Sequence, residues 1–217
     1  MSLHVAVPLV VSGVHLALAL GALLSGAGRR TQQVFAALAG TLALWSVSIF
    51  QIRHASDAAG GLLGQRLLNI TFPLIPAVYY HLVRVVTGTA EARRTAVRVV
   101  YAGAAVFVLL ALVALPLLVR DVVRTPRGWA PVTGPLGILL FAFYLGVMAA
   151  TVGPARAARR RALLVASVVM LVAPLTNFVG FILLRVGVIP VELPSLLVPA
   201  SVVLVALAWF ATRENAT

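Results

Sequence analysis

Seven long apolar runs dominate this sequence and restrict the environment in which the chain can fold. They cover about residues 3–24, 34–52, 62–86, 99–119, 136–152, 162–184 and 191–211. A helix needs roughly 20 apolar residues to cross a bilayer core ~30 Å thick, which is close to the length of these runs. The runs are continuous, whereas the strands of a barrel would alternate. The sequence therefore predicts an all-α polytopic membrane protein, with residues 1–217 forming one domain, a seven-transmembrane-helix bundle.

Composition supports the same environment. Hydrophobic residues make up 62% of the chain and charged residues 10%, and the mean hydropathy is +1.08. Soluble domains are nearer to half apolar and a quarter charged. The first run is too long for a typical signal-peptide core and has no basic residue before it, so we expect a retained first helix.

The positive charge predicts an orientation. The net charge is +12, and all 17 basic residues are arginines that lie mainly between the apolar runs. With the N-terminus outside, the inner side carries eleven of them: Arg29, Arg30, Arg84, Arg93, Arg94, Arg98, Arg156, Arg159, Arg160, Arg161 and Arg213. The outer side then carries six: Arg53, Arg66, Arg120, Arg124, Arg127 and Arg185. The positive-inside rule thus predicts an outside N-terminus and a cytoplasmic C-terminus in a bacterial cytoplasmic (inner) membrane.

Nucleic-acid binding is not expected, because no continuous basic face or recognition module is visible.

Three helices carry polar side chains on one side. At about 100° per residue, neighbouring positions on one helix face are three or four residues apart. Polar and kinking residues in hydrocarbon normally face the bundle interior or a cavity. We therefore expect the second, third and sixth helices to surround a crevice whose candidate ligand-binding residues are Thr41, Trp45, Ser48, Asn69, Tyr80 and Asn177. The alternative is that these groups only satisfy one another and the backbone freed by prolines 73, 76 and 174.

The first helix has a separate pattern. Gly13, Ala17, Gly21 and Ser25 form an unbroken series of small residues four apart. Such a series lets another helix approach closely. It predicts a packing face, either within the bundle or between two copies in a homodimer.

The sequence lacks the residues that several kinds of functional site require. A retinal Schiff base needs a lysine, and the chain has none. Cysteines are absent, the acidic residues lie in loops or at ends, and no zinc, nucleophile-elbow or phosphate-loop motif occurs. His15 and His81 differ in expected depth by roughly 10 Å, which does not suit two axial haem ligands. We expect no enzyme activity, no metal and no cofactor; a transporter is a minor alternative.

The segment from Arg29 to Gly88 carries a family resemblance. Gln33-Val34-Phe35 leads into Leu42-Ala43-Leu44-Trp45-Ser46, and Phe72-Pro73 begins a stretch that ends at Tyr80-His81 before Thr87-Gly88. This pattern resembles the seven-helix membrane region at the N-terminus of certain bacterial sensor histidine kinases. Later segments agree more loosely, including Thr176-Asn177-Phe178 and Gly187-Val188-Ile189-Pro190.

The resemblance implies a non-catalytic sensory module whose last helix passes a signal to a cytoplasmic kinase. The chain departs from the family because only a few residues follow Trp209-Phe210. We therefore expect either a piece of a longer kinase or a module that signals through a partner. The competing hypothesis is an accessory or assembly subunit of a larger membrane complex, in contact with membrane lipid.

Overall fold

The structure is a computed structural model that describes residues 3–25, 29–126, 128–185 and 197–213. Eight α-helices lie in this part of the chain. They are α1 (Leu3–Leu24), α2 (Arg29–His54), α3 (Ala58–Thr71), α4 (Leu74–Val86), α5 (Arg94–Val113), α6 (Gly137–Ala157), α7 (Arg161–Arg185) and α8 (Leu197–Arg213). A short 3-10 helix (Leu115–Leu117) and two strands, β1 (Val119–Thr125) and β2 (Gly128–Thr133), lie between α5 and α6.

Four of these helices are long and apolar enough to cross a membrane. The qualifying stretches are Val5–Leu24, Arg30–His54, Arg94–Val113 and Gly137–Ala157. Shorter apolar stretches follow in α7 and α8. Large apolar side chains stay exposed on α1, α5 and α6, for example Leu24, Val113 and Ile138. A surface of this kind is stable against lipid and not against water. The chain is therefore mostly helical, with the apolar helices of a membrane protein.

The third predicted helix, expected without interruption over 62–86, is two helices. α3 begins earlier, at Ala58, because the Asp57 carboxylate accepts a hydrogen bond from the Gly60 N–H at 2.8 Å and caps the helix. α3 ends at Thr71 and α4 begins at Leu74, with Phe72-Pro73 between them. Proline has no N–H and its ring crowds the preceding turn, which accounts for the interruption at Pro73.

The β-hairpin is the second difference from the sequence-based expectation. The fourth apolar run was expected to remain helical to residue 119, but α5 ends at Val113. β1 and β2 pair antiparallel with Val122 opposite Pro131, and the register shifts between Val119 and Asp121. The valines of β1 favour a strand, and Pro131 fits a short two-stranded sheet whose outer edges need no donor. The all-α expectation describes the bundle and omits this hairpin.

The hairpin defines one end of the bundle. Backbone bonds from Gly134 N to Leu118 O and from Leu136 N to Leu117 O, both 2.8 Å, attach it to the start of α6. α6 then runs 21 residues, about 30 Å, to the opposite end. We call the two ends the hairpin end (residues 55–57 and 115–136) and the arginine end (Arg30 and the turns 87–93 and 158–160). At the arginine end, the Arg30 guanidinium pairs with the Glu91 carboxylate.

One apolar core joins most of the helices. It contains buried side chains of α1, α2, α4, α6, α7 and α8, among them Phe35, Leu82, Met148, Ala166 and Leu204. A smaller cluster around Ala111 and Leu118 joins α5 to the start of α6. The second, third and sixth predicted helices thus lie around a shared interior.

Candidate functional site

The structure buries four of the six predicted crevice residues. Trp45, Asn69 and Tyr80 are only 4%, 5% and 4% exposed. Ser48 is buried as well, and Thr41 is half-buried. The sixth candidate, Asn177, belongs to α7, but its side chain lies outside the described residues.

The polar groups of three of these residues bond within their own helices. Thr41 Oγ1 donates to Ala37 O at 2.8 Å, and Ser48 Oγ donates to Leu44 O at 2.9 Å. Asn69 Nδ2 donates to Gln65 O at 2.8 Å. These donors are therefore satisfied without a ligand, as in the alternative interpretation of the polar faces. Each side-chain oxygen keeps lone pairs that can accept a further hydrogen bond.

Tyr80 interacts with the end of its own helix. The Arg84 guanidinium carbon lies 4.9 Å from the centroid of the Tyr80 ring. This is a cation–π distance, and the i, i+4 spacing on α4 produces it. Arg84 Nε is buried and has no hydrogen-bond partner. The pair therefore holds a cation partly inside the bundle, at the end of α4.

Sequence reasoning missed the polar contact between α4 and α7. Tyr79 is fully buried; its hydroxyl donates to Leu163 O at 3.0 Å and lies 3.1 Å from Ser167 Oγ. Tyr144 of α6 similarly donates to Met170 O at 3.3 Å. Tyr79 is one position, about 100°, from Tyr80 around α4, so it faces a different neighbour. Its pairing with a polar residue on a distant helix leaves no signal in a single sequence.

A polar connection links this interior to the hairpin end. Ala55 O accepts hydrogen bonds from Arg124 Nη1 at 2.7 Å and from Trp129 Nε1 at 3.0 Å. Gln65 Nε2 donates to Trp129 O at 3.1 Å. Because Gln65 O in turn accepts from Asn69, the hairpin is bonded to the row of α3 side chains that enters the core.

α1 presents two contrasting faces. His15 is completely buried. The small-residue series Gly13, Ala17, Gly21 and Ser25 is exposed instead. No atom lies within 4 Å of a Cβ built at Gly13 or Gly21. Packing within the described part of the chain therefore does not explain this series.

Comparison with protein families, curated proteins and solved structures finds no match to this chain. The resemblance to the sensor-kinase membrane region thus rests on the quoted residues and stays a prediction. Among the described residues, no group of three or more His, Asp or Glu side chains is placed to hold a metal ion.

Proposed function

We propose that this protein is a membrane-embedded sensory or signal-input module with no catalytic chemistry of its own. In this proposal α1, α2, α3 with α4, α5, α6, α7 and α8 are seven crossings, and the hairpin end lies outside. The module belongs to the bacterial cytoplasmic membrane, and a cytoplasmic histidine kinase receives its signal.

The observation that carries the proposal is the set of polar side chains in the bundle interior. Trp45, Asn69 and Tyr80 are buried on α2, α3 and α4. The apolar core that contains Trp45 also includes residues of α4 and α7. Polar groups inside a membrane protein are expensive to bury, and they commonly mark a ligand or relay site. A ligand that reached this interior would find the side-chain oxygens of Asn69 and Tyr80 as acceptors and the indole N–H of Trp45 as a donor.

A connected path supports transmission from the hairpin end to α8. Trp129 bonds both Gln65 of α3 and Ala55, which directly follows α2. α2 runs from this hairpin end to the arginine end, where the helix begins. There Phe35 of α2 packs against Trp209 of α8 with ring centroids 5.2 Å apart. A ligand that prefers one arrangement of these helices tenfold supplies about 1.4 kcal/mol of bias, which is enough to shift a balanced two-state bundle.

A photo-crosslinking experiment tests the proposed partner. Phe210 and Val99 are both exposed, at 63% and 64%, and both lie toward the arginine end, on α8 and α5. A photoreactive amino acid at position 210, in the full chain in native membranes, should crosslink to a signalling kinase; the same group at position 99 is the matched control. Crosslinks from position 210 to lipid only, or equal capture from both positions, would refute the proposal.

The second candidate function is an accessory or assembly subunit of a larger membrane complex, and the exposed series Gly13, Ala17 and Gly21 favours it. An apolar helix face with open space at its glycines can receive another helix at short distance. Purification in mild detergent separates the two functions. Stoichiometric recovery with a large complex, lost in Gly13→Leu/Gly21→Leu, supports the subunit, whereas a lone monomer or homodimer supports the sensor.

A further inference from the structure

A basic cleft opens at the turn between α6 and α7, away from the interior site. Its volume is about 250 Å³. Its lining residues are Ala155, Arg156, Arg159, Arg160, Arg161 and Leu164. Four of the six are arginines, and the two apolar residues belong to helices that continue into the bundle.

Arg159 adopts a backbone conformation that glycine usually takes. Arg159 N bonds Arg156 O at 3.0 Å and Arg160 N bonds Ala155 O at 3.1 Å, which is the Schellman pattern that ends a helix. The residue in the left-handed position of this motif is normally glycine, and here it is Arg159 with φ 56°.

α4 ends with the same bonding pattern, and there Gly88 has φ 69°. The same turn is thus built once with glycine and once with arginine. A side chain in the left-handed region carries a strain of about 1–2 kcal/mol. In return for this strain, residue 159 contributes a guanidinium group to the cleft lining, where glycine would contribute no side chain.

The start of α7 adds positive potential to the cleft. The first amide groups of a helix have no acceptor within the helix, and the helix dipole makes this end positive. Arg160, the residue before α7, cannot cap these amides through its side chain, because a guanidinium has no acceptor atom. α5 also begins after an arginine, Arg93, but the Glu91 carboxylate stands in that turn. The α6–α7 turn contains only alanine and arginine.

We propose that this cleft binds a phosphate group, carried by an anionic phospholipid headgroup or by a free phosphate-bearing anion. Planar guanidinium groups bind phosphate oxygens in pairs, and amides at a helix start complete such sites. Basic pockets between membrane helices are suited to headgroup phosphates, and the walls formed by Ala155 and Leu164 allow acyl chains to continue along the bundle. The site does not depend on the sensory function proposed above.

The test uses the purified full chain in uncharged detergent at constant ionic strength set with KCl. One probe is inorganic phosphate; the other is mixed micelles containing phosphatidylglycerol, with phosphatidylcholine micelles as reference. The readouts are the dissociation constant and the shift of the melting temperature. Arg156→Gln/Arg161→Gln should weaken binding about a hundredfold, since each of the two charge-assisted hydrogen bonds that it removes contributes roughly tenfold.

Arg93→Gln/Arg98→Gln is the matched control, because it removes the same charge from the start of α5, where both side chains are exposed. It should leave binding unchanged. Arg159→Gly separates binding from folding: it removes the left-handed strain, so the melting temperature without probe should hold or rise while binding weakens.

The proposal is supported by binding of both probes, of phosphatidylglycerol alone or of phosphate alone. Which probe binds shows whether the phosphate group belongs to a lipid headgroup or to a free anion. The proposal is overturned if neither probe binds, if Arg156→Gln/Arg161→Gln or Arg159→Gly binds as tightly as the unmodified chain, or if the α5 control weakens binding equally.

Discussion

At Gly88, the effect of a substitution on the free energy of unfolding should come from backbone conformation alone. Its φ is +69°, and a Cβ built there meets no atom within 4 Å. Gly88→Ala should therefore lower the free energy of unfolding by about 1 kcal/mol through strain alone, without a clash. Reversible unfolding in mixed micelles measures the change.

Gly40 provides the control of opposite sign. It lies within α2 and also has no neighbour within 4 Å of an added Cβ. Gly40→Ala should raise the free energy of unfolding by roughly 0.5–1 kcal/mol, because alanine is the better helix former. Equal effects of the two substitutions would contradict the conformational explanation.

Tyr79 makes a buried side-chain hydrogen bond that joins α4 to α7. Tyr79→Phe removes the hydroxyl bonded to Leu163 O and adjacent to Ser167 Oγ, and should lower the free energy of unfolding by about 0.5–1.5 kcal/mol. Tyr80→Phe is the matched control, since the phenyl ring still faces Arg84 and the expected loss is smaller. A larger loss for Tyr80→Phe would show that the α4–α7 contact is not the stabilising one.

Among the elements, the hairpin is the one whose folded structure depends on docking against a helix, α3. An isolated two-stranded hairpin is marginally stable, so its docking on α3 holds it folded. A Cβ at Gly61 would lie 2.5 Å from Trp129 Cγ, too close to be accommodated without moving the ring. Gly61→Ala should displace Trp129, break its bond to Ala55 O and destabilise the docked hairpin by about 1–3 kcal/mol.

Proteolysis at the hairpin turn measures this docking. Gly61→Ala should accelerate cleavage near residues 125–128. Gly146→Ala on α6, where a Cβ meets open space, should not. Unchanged protection in Gly61→Ala would mean that Trp129 does not anchor the hairpin.

The ion pair between Arg30 and Glu91 gives the arginine end a pH dependence. The hydrogen bond and charge of Arg30 hold the pKa of the Glu91 carboxyl below its usual value. A lowered carboxyl pKa contributes stability that is complete above the usual pKa and disappears as pH falls through the lowered one. The protection of amides in the turn 87–93, measured relative to their intrinsic exchange rate at each pH, should therefore fall on acidification through this range. Glu91→Gln should exchange faster at neutral pH and lose the pH dependence that the pair causes.

The elements also show what a single sequence can predict. Run length identified the helices, and the 100° periodicity placed Trp45, Asn69 and Tyr80 inward, because lipid excludes polar groups wherever they lie along a helix. The break at Pro73 was less predictable, since membrane helices often tolerate proline without ending. Arg120, Asp121 and Arg124 interrupt the valines of β1, so the sequence of this segment alone does not indicate a strand. Its strand conformation depends on pairing with β2, which lies several residues further along.

At the scale of the whole molecule, the proposed orientation can be tested directly because the chain contains no cysteine. Ser56 and Ala92 are both exposed, at the hairpin end and the arginine end respectively. Ser56→Cys should react with a membrane-impermeant maleimide in intact cells, and Ala92→Cys only after permeabilisation. The reverse pattern would invert the topology, and labelling of both in intact cells would refute the membrane arrangement.

The interruption between α3 and α4 has a mechanical consequence. Pro73 and Pro76 have no N–H, so the carbonyl groups four residues earlier, of Asn69 and Phe72, lack their usual helical donors. Bending the chain between the two half-helices therefore breaks fewer backbone bonds than bending the same length of an ordinary helix. The bundle should be softest at this joint, so a force applied to α3 would change its angle to α4 before it distorted either half.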